Sequence, residues 1–130
     1  MSDPIPSDVK RFIRRYVNSV EQLEVLLFLR DHLDAEGTAE AISKKFVSTP
    51  SSVEKRLQDL ESLGLIARRP GKPGYHYAPK TQRLNEGIGR LAEYYKKHRM
   101  SLIEWIFREP FERVRDFADA FKLKEEDDDR

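Results

Sequence analysis

Four polar side chains at helical spacing have the chemistry needed to read the edges of nucleic acid bases. They are Ser51, Ser52, Lys55 and Gln58. Lysine can donate to O6 and N7 of guanine, glutamine can bridge N6 and N7 of adenine, and serine can bond to either base. A helix fits the major groove of duplex DNA, and the side chains near its N-terminal end reach the bases first. Lys55 and Gln58 are therefore the principal predicted base readers.

Basic residues cluster around these four positions. From position 38 to position 83 the chain has nine Lys or Arg residues and four carboxylates, although its overall net charge is only +1. A local excess of positive charge favours contacts with phosphates. Seven residues are predicted to contact the DNA backbone, and the last three belong to a predicted hairpin: Thr38, Lys44, Lys45, Arg56, Arg68, Arg69 and Lys72. Two alternatives stay open: the charges only keep a helical surface solvated, and the two serines only favour a helix start.

Local signals predict two helices joined by a sharp turn. Thr38 and Thr49 can each cap a helix, and the link from Val47 to Thr49 is too short for anything but a tight turn. Pro50 suits a first helical turn, and Gly64 permits a left-handed stop. Apolar residues of the second helix recur at helical spacing, at Val53, Leu57, Leu60 and Leu63. The predicted base readers therefore face away from the core.

A basic hairpin follows the second helix. Residues 65–69 and 75–78 are predicted strands, and the loop between them, Pro70-Gly71-Lys72-Pro73-Gly74, suits a tight reversal. The run SSVEKRLQDLESLGLIARR resembles the recognition helix and first wing strand of bacterial and archaeal winged-helix transcription regulators, most nearly the MarR-like group. The resemblance covers roughly residues 20–80. It implies a winged helix-turn-helix that binds double-stranded DNA. With the helices expected before and after it, the predicted fold is mainly α with a small β-hairpin, a winged helix-turn-helix with N- and C-terminal helical extensions.

Four segments are expected along the 130 residues, a length that fits one domain with extensions. They are an N-terminal helical extension (1–19), a winged-helix DNA-binding domain (20–80), a C-terminal helical dimerisation region (81–122) and an acidic disordered tail (123–130). Ser19 and Gln22 form a capping box that begins the first helix of the central trihelical unit. Glu109-Pro110 is expected to end a long helix, after which a short helix carries an aromatic face.

The C-terminal region shows the spacing of a helical seam. One helix is predicted from Thr81 to about Arg108, a length of about 40 Å. Its apolar residues, separated by steps of three and four, are the predicted dimer interface: Leu84, Ile88, Leu91, Tyr95, Leu102 and Trp105. The alternative is that the seam packs back on the chain's own first helix. Gly87 and Gly89 indicate a close backbone contact, a bend or a weak helix start.

Several classes of function find no support in the composition. Without cysteine there is no disulfide framework and no thiolate metal site, and His32, His76 and His98 share no spacing with carboxylates. No glycine-rich phosphate loop, secretory signal or membrane-spanning run is present. We therefore expect no catalysis, no cofactor, no metal, no membrane contact and a cytoplasmic location.

Two functions remain. The first is a transcriptional regulator that binds operator DNA as a homodimer, with any small-molecule or protein effector unknown. The second is a winged-helix module for protein contact, in which an aromatic C-terminal hairpin binds the partner. A weaker hypothesis adds an apolar effector held in the dimer among aromatic side chains at Tyr94, Tyr95, Trp105 and Phe107.

Overall fold

The structure, a computed structural model, describes residues 5–108. Within that range the chain forms six helices and one hairpin. In order they are α1 (Ser7–Tyr16), α2 (Val20–Asp31), α3 (Ala39–Lys45), α4 (Pro50–Ser62), β1 (Ile66–Arg68), β2 (Tyr75–Tyr77), α5 (Gln82–Lys97) and α6 (Arg99–Arg108). The predicted fold class, a mainly helical winged helix-turn-helix, is confirmed. The predicted final aromatic helix and acidic tail lie outside the described residues.

Side-chain caps begin four of the helices, and all four follow the local sequence signals. The hydroxyls of Ser19, Thr38, Thr49 and Thr81 accept backbone N–H bonds of 3.1–3.2 Å at the starts of α2, α3, α4 and α5. Each bond satisfies one of the amide groups that a helix N-terminus leaves without a partner. Local chemistry therefore defines where the helices of the central unit begin.

The central unit is formed by α2, α3 and α4, which pack on one another and on the hairpin. Val53, Leu57 and Leu60 are the buried residues of α4, and they join the leucines of α2 in a shared core. Side chains from α1, α5 and α6 belong to the same cluster. The helical extensions therefore complete one core with the winged helix.

The hairpin is held to the loop after α2 by a backbone contact at two glycines. β1 and β2 are antiparallel, and the Tyr75 N–H at the start of β2 donates to the Gly37 carbonyl at 2.9 Å. A Cβ atom on Gly37 would lie 1.9 Å from the Tyr75 carbonyl oxygen. Gly74 has a φ of +94° and faces the backbone of Gly37, where a Cβ atom would lie 2.6 Å from its carbonyl carbon. Only glycine permits this approach.

The C-terminal region differs from the single long helix that the spacing predicts. The helix breaks at His98, whose backbone has φ −134° and ψ 48°. The His98 ring stacks on Tyr94 at 4.7 Å between centroids, and its carbonyl accepts the Leu102 N–H that begins α6. Beyond the break, Leu102 and Trp105 are both buried in the core. Their burial stabilises the bent form.

The predicted dimer interface is buried in the chain's own core. Ile88, Leu91 and Leu102 are fully enclosed, Trp105 and Tyr95 are 4% and 9% exposed, and Leu84 is half-buried against the same cluster. α5 packs on α1, as the alternative expected. Periodicity alone cannot tell a helix of the same chain from a helix of a partner. Five of the six predicted interface residues are therefore enclosed by the chain itself in this structure, and Leu84 is partly open to solvent.

The two glycines of α5 have different surroundings. A Cβ atom on Gly87 would lie 2.9 Å from two carbons of the Phe12 ring, so this glycine allows α1 to approach α5 closely. A Cβ atom on Gly89 would meet only Arg30 Nη2, at an ordinary 3.6 Å. The close-contact explanation therefore holds for Gly87 alone.

This difference predicts opposite effects for two substitutions in one helix. Alanine is favoured over glycine inside a helix by about 1 kcal/mol, so Gly89→Ala is expected to raise the free energy of unfolding by up to that amount. Gly87→Ala forces the Phe12 ring to move, which costs about 1–3 kcal/mol and cancels or exceeds the same gain. Urea unfolding of both variants measures the difference. Equal stabilisation by both would contradict the α1–α5 contact.

Candidate nucleic-acid interface

The outward face of α4 presents three of the four predicted base readers. Because Val53, Leu57 and Leu60 point into the core, residues on the opposite side of the helix face solvent. Ser51, Lys55 and Gln58 are exposed there. The helix begins with a proline after the Thr49 cap. Thr49 and Pro50 are also exposed, so the N-terminal turn is open to solvent. The geometry thus provides a hydroxyl, an ammonium and an amide on one accessible surface.

Gln58 and Glu54 are bonded to each other on this surface. Gln58 Nε2 donates to Glu54 Oε2 at 3.1 Å, one helical turn away. Within residues 5–108 Glu54 forms no ion pair with Lys55 or Arg56, and the Arg56 guanidinium pairs with Glu21 instead. An amide has two N–H donors and one carbonyl acceptor. Gln58 therefore keeps one donor and its acceptor for a further partner.

Ser52, the fourth predicted reader, is turned toward the protein. Its hydroxyl donates to Glu21 Oε1 at 2.7 Å, and Arg56 Nε donates to the same oxygen at 2.9 Å. The Ser48 hydroxyl, in the turn before α4, donates to Glu21 Oε2. Ser52 and Arg56 are each only partly exposed. Both side chains therefore bond within the protein in this structure, and their direct contact with DNA stays a prediction.

Glu21 itself escaped the sequence analysis. It lies in the first turn of α2, from 27 to 35 residues away from its three partners along the chain. Burial raises the pKa of its carboxyl, but the hydrogen bonds from Ser48, Ser52 and Arg56, with the charge of Arg56, outweigh it and lower the pKa. Glu21 is thus held as a carboxylate. No local pattern could have indicated this network, because its members meet only in the folded chain.

The predicted phosphate-contacting cations are at two edges of α4. Lys44 and Lys45 are exposed at the end of α3, and Arg68 and Lys72 are exposed on the wing, while Arg69 is half-buried. Among the ion pairs formed within residues 5–108, only that of Arg56 with Glu21 involves one of the predicted DNA-contacting cations. The remaining cations can therefore meet an external anion without first breaking an internal pair.

Thr38, also predicted to contact phosphate, is used as a helix cap. Its hydroxyl accepts the Ala41 N–H at 3.2 Å and lies 3.5 Å from Glu36 Oε2, to which it donates. The Thr38 hydroxyl therefore already accepts one hydrogen bond and donates another. Its contribution in this structure is to begin α3.

Tyr75 links the wing to α4. The Arg68 guanidinium lies 5.0 Å from the centre of the buried Tyr75 ring. Burial raises the pKa of Tyr75, the charges of Glu54 and Glu61 on α4 raise it further, and the charge of Arg68 opposes them. The base of the wing adjoins α4, because β1 packs on that helix, and charges on both elements therefore act on this one hydroxyl. The cation–aromatic contact also keeps the Arg68 side chain against the Tyr75 ring.

The other predicted features are dispersed. His32 and His98 stack on Phe28 and Tyr94, and no group of three or more His, Asp or Glu residues within residues 5–108 could hold a metal ion. None of the helices in the described part of the chain has the length and apolar character that a membrane span requires.

The four aromatic residues suggested for an effector do not share a site. Tyr95 lines a cavity of about 540 Å³ between α2 and α5, and Tyr94 lines another of about 580 Å³ between α1 and α5. Trp105 is buried in the core, and Phe107 is exposed on α6. The structure therefore does not bring these side chains together.

Comparison with known families adds independent support. Residues 17–74 match the family model described as the LexA DNA binding domain, a segment that runs from the residue after α1 to the end of the wing loop. Comparisons with curated proteins and with solved structures find no match. The matched segment contains α2, α3, α4 and β1, and therefore all four predicted base readers. The similarity of residues 17–74 to the LexA DNA binding domain, together with the winged-helix fold, supports a DNA-binding transcriptional regulator.

Proposed function

We propose that this chain is a sequence-specific regulator of transcription that binds double-stranded operator DNA as a homodimer. The observation that carries the proposal is the exposed polar face of α4, flanked by cations that form no ion pair within residues 5–108, in a segment similar to a DNA-binding family. The proposal includes no catalytic step and no cofactor. A cytoplasmic location and a MarR-like relationship stay predictions.

In this proposal α4 enters the major groove. Lys55 and Gln58 contact base edges, and Ser51 contributes a hydroxyl near the helix start, where approach to the bases is closest. Lys44 and Lys45 at one edge, with Arg68, Arg69 and Lys72 of the wing at the other, contact the sugar–phosphate backbone. The backbone contacts supply most of the affinity and orient the helix, whereas the base contacts supply the choice of sequence.

The homodimer requires a surface other than the buried seam of α5. Met100 and Phe107 on α6 are 61% and 69% exposed, and Ile103 is half-buried between them. Their spacing of three and four residues gives an apolar stripe along one side of α6. A second copy that covers this stripe would form a two-fold pair, and its two α4 helices would meet half-sites about 34 Å apart.

The second candidate is a winged-helix module for protein contact. The exposed Phe107 favours it, because a large aromatic side chain in solvent often marks an interaction surface. The predicted aromatic hairpin lies largely outside the described residues. This candidate does not need the cations of α3 and the wing, so it predicts no steep response of binding to salt.

Substitution of Lys55 and Arg68 tests the DNA-binding proposal. A duplex selected from a random pool is the probe, and the dissociation constant is measured by fluorescence anisotropy. Lys55→Ala is expected to weaken binding to the selected duplex about tenfold and to relax the choice of sequence, since a good base contact contributes about 1–3 kcal/mol. Arg68→Ala should weaken binding to every duplex and reduce the slope of log K against log salt by about 1.

Lys97→Ala is the matched control. It removes the same charge from an exposed position on α5, beside α1, whereas α4 packs on α2, α3 and β1. It should leave binding unchanged. If Lys55→Ala and Arg68→Ala bind duplex as the wild type does at low salt, the proposal fails.

Sedimentation velocity tests the dimer separately. The wild type is expected to sediment as two chains at micromolar concentration, and Met100→Asp with Phe107→Asp should give a folded monomer because charge is introduced into the apolar stripe. Leu33→Asp is the control, since Leu33 is 67% exposed in the loop after α2. A wild-type monomer, or a double variant that still dimerises, would remove α6 as the interface.

A further inference from the structure

Glu21 bonds to the turn and the first half of α4 at the same time. Its carboxylate accepts from Ser48 in the turn, and from Ser52 and Arg56, which are one helical turn apart on α4. Its own helix is fixed nearby, since Ser19 caps α2 and the Gln22 side chain accepts the Asn18 N–H. One carboxylate thus joins a fixed helix to the element that carries the base readers.

These bonds supply a directional constraint that the core does not. Val53, Leu57 and Leu60 hold α4 by apolar contacts, which are non-directional. Hydrogen bonds to a charged group are shorter, stronger and more restricted in angle than those between neutral groups. Glu21 and Arg56 are 24% and 25% exposed, so water weakens their ion pair only in part.

We propose that Glu21 is a positioning residue for base recognition: within the orientation that the buried face of α4 sets, its bonds fix the fine position of the helix, and with it the alignment of Ser51, Lys55 and Gln58 toward the bases. The inference rests on the proposed function. Glu21 acts through Ser48, Ser52 and Arg56 and does not itself touch a base. In this role Ser52 and Arg56 affect the choice of sequence indirectly, because they bond to Glu21 and so hold α4 in position.

This role predicts a loss of discrimination. Without these bonds α4 could shift slightly, which would misalign the base contacts but leave the cations of α3 and the wing near the phosphates. Affinity for a selected duplex should then fall more than affinity for a mixed-sequence duplex. A residue that only stabilises the fold would change neither affinity once the folded fraction is accounted for.

Glu24 offers a matched control. It is also a partly buried carboxylate of α2, 26% exposed, and its Oε2 accepts from Tyr95 at 2.7 Å and from Arg99 at 2.8 Å. Its two partners are on α5 and at the start of α6. Glu24→Ala therefore removes a comparable ion pair from the same helix without touching α4.

The experiment compares wild type, Glu21→Ala, Glu21→Gln, Ser52→Ala and Glu24→Ala, each shown to be folded by circular dichroism. Dissociation constants are measured for a selected duplex and a mixed-sequence duplex at two salt concentrations. Glu21→Ala is expected to lower the ratio of the two affinities about tenfold, the scale of one misplaced base contact. Glu21→Gln keeps an acceptor oxygen and should recover part of the ratio, while Ser52→Ala should lower it less and Glu24→Ala should leave it unchanged.

Three results would overturn the inference. The ratio could stay at the wild-type value in folded Glu21→Ala, or fall equally in Glu24→Ala. Binding to both duplexes could instead tighten with a steeper salt slope, which would mean that Glu21 only masks Arg56 from phosphate. If Glu21→Ala does not fold, Glu21→Gln and Ser52→Ala decide the matter by the same ratio. A wild type that binds no duplex at low salt is distinguishable from these results, because it overturns the proposed function as well.

Discussion

The burial of one face of α4 is the constraint on which the candidate interface depends. Val53, Leu57 and Leu60 are enclosed among α2, α3 and the hairpin, so the opposite face of a thirteen-residue helix must face solvent. Residues three and four apart share a face, and for this reason a hydroxyl, an ammonium and an amide emerge together. The polar surface is a consequence of the apolar stripe. A change that loosens the stripe would therefore disturb every residue proposed to read a base.

Two further contacts define how the rest of the interface is arranged around α4. The glycine contact between Gly37 and Gly74 brings the loop before α3 against the start of β2, which fixes the wing relative to the helix-turn-helix. The Glu21 carboxylate fixes the turn and the first half of α4. The residues of both contacts belong to the central unit or the wing, and none lies in the extensions. The extensions instead contribute side chains of α1, α5 and α6 to the core that α2 shares.

The parts of this arrangement that the sequence reveals are those governed by near neighbours. Thr38 and Thr49 cap helices three residues ahead of their amide partners, and Gly64 adopts a φ of +83° just after α4, so each signal is local. The Glu21 network joins residues at least 27 positions apart, and no periodicity encodes it. The break at His98 has the same origin: the seam spacing continues through it, and only the position of the core decides that the helix must bend. Periodicity identified which side chains of α5 are buried but not which surface buries them.

One α4 helix offers few base contacts, so the proposed choice of sequence depends on the rest of the molecule as well. With Ser52 and Arg56 bonded to Glu21, one helix offers Ser51, Lys55 and part of the Gln58 amide. At about 1–3 kcal/mol for each good base contact, this set discriminates weakly on its own. Two copies on a two-fold site would double the number of base contacts, and discrimination at well-separated positions is roughly additive. In this proposal the exposed stripe of α6 therefore contributes to DNA recognition, because dimerisation doubles the small number of base contacts that one copy makes.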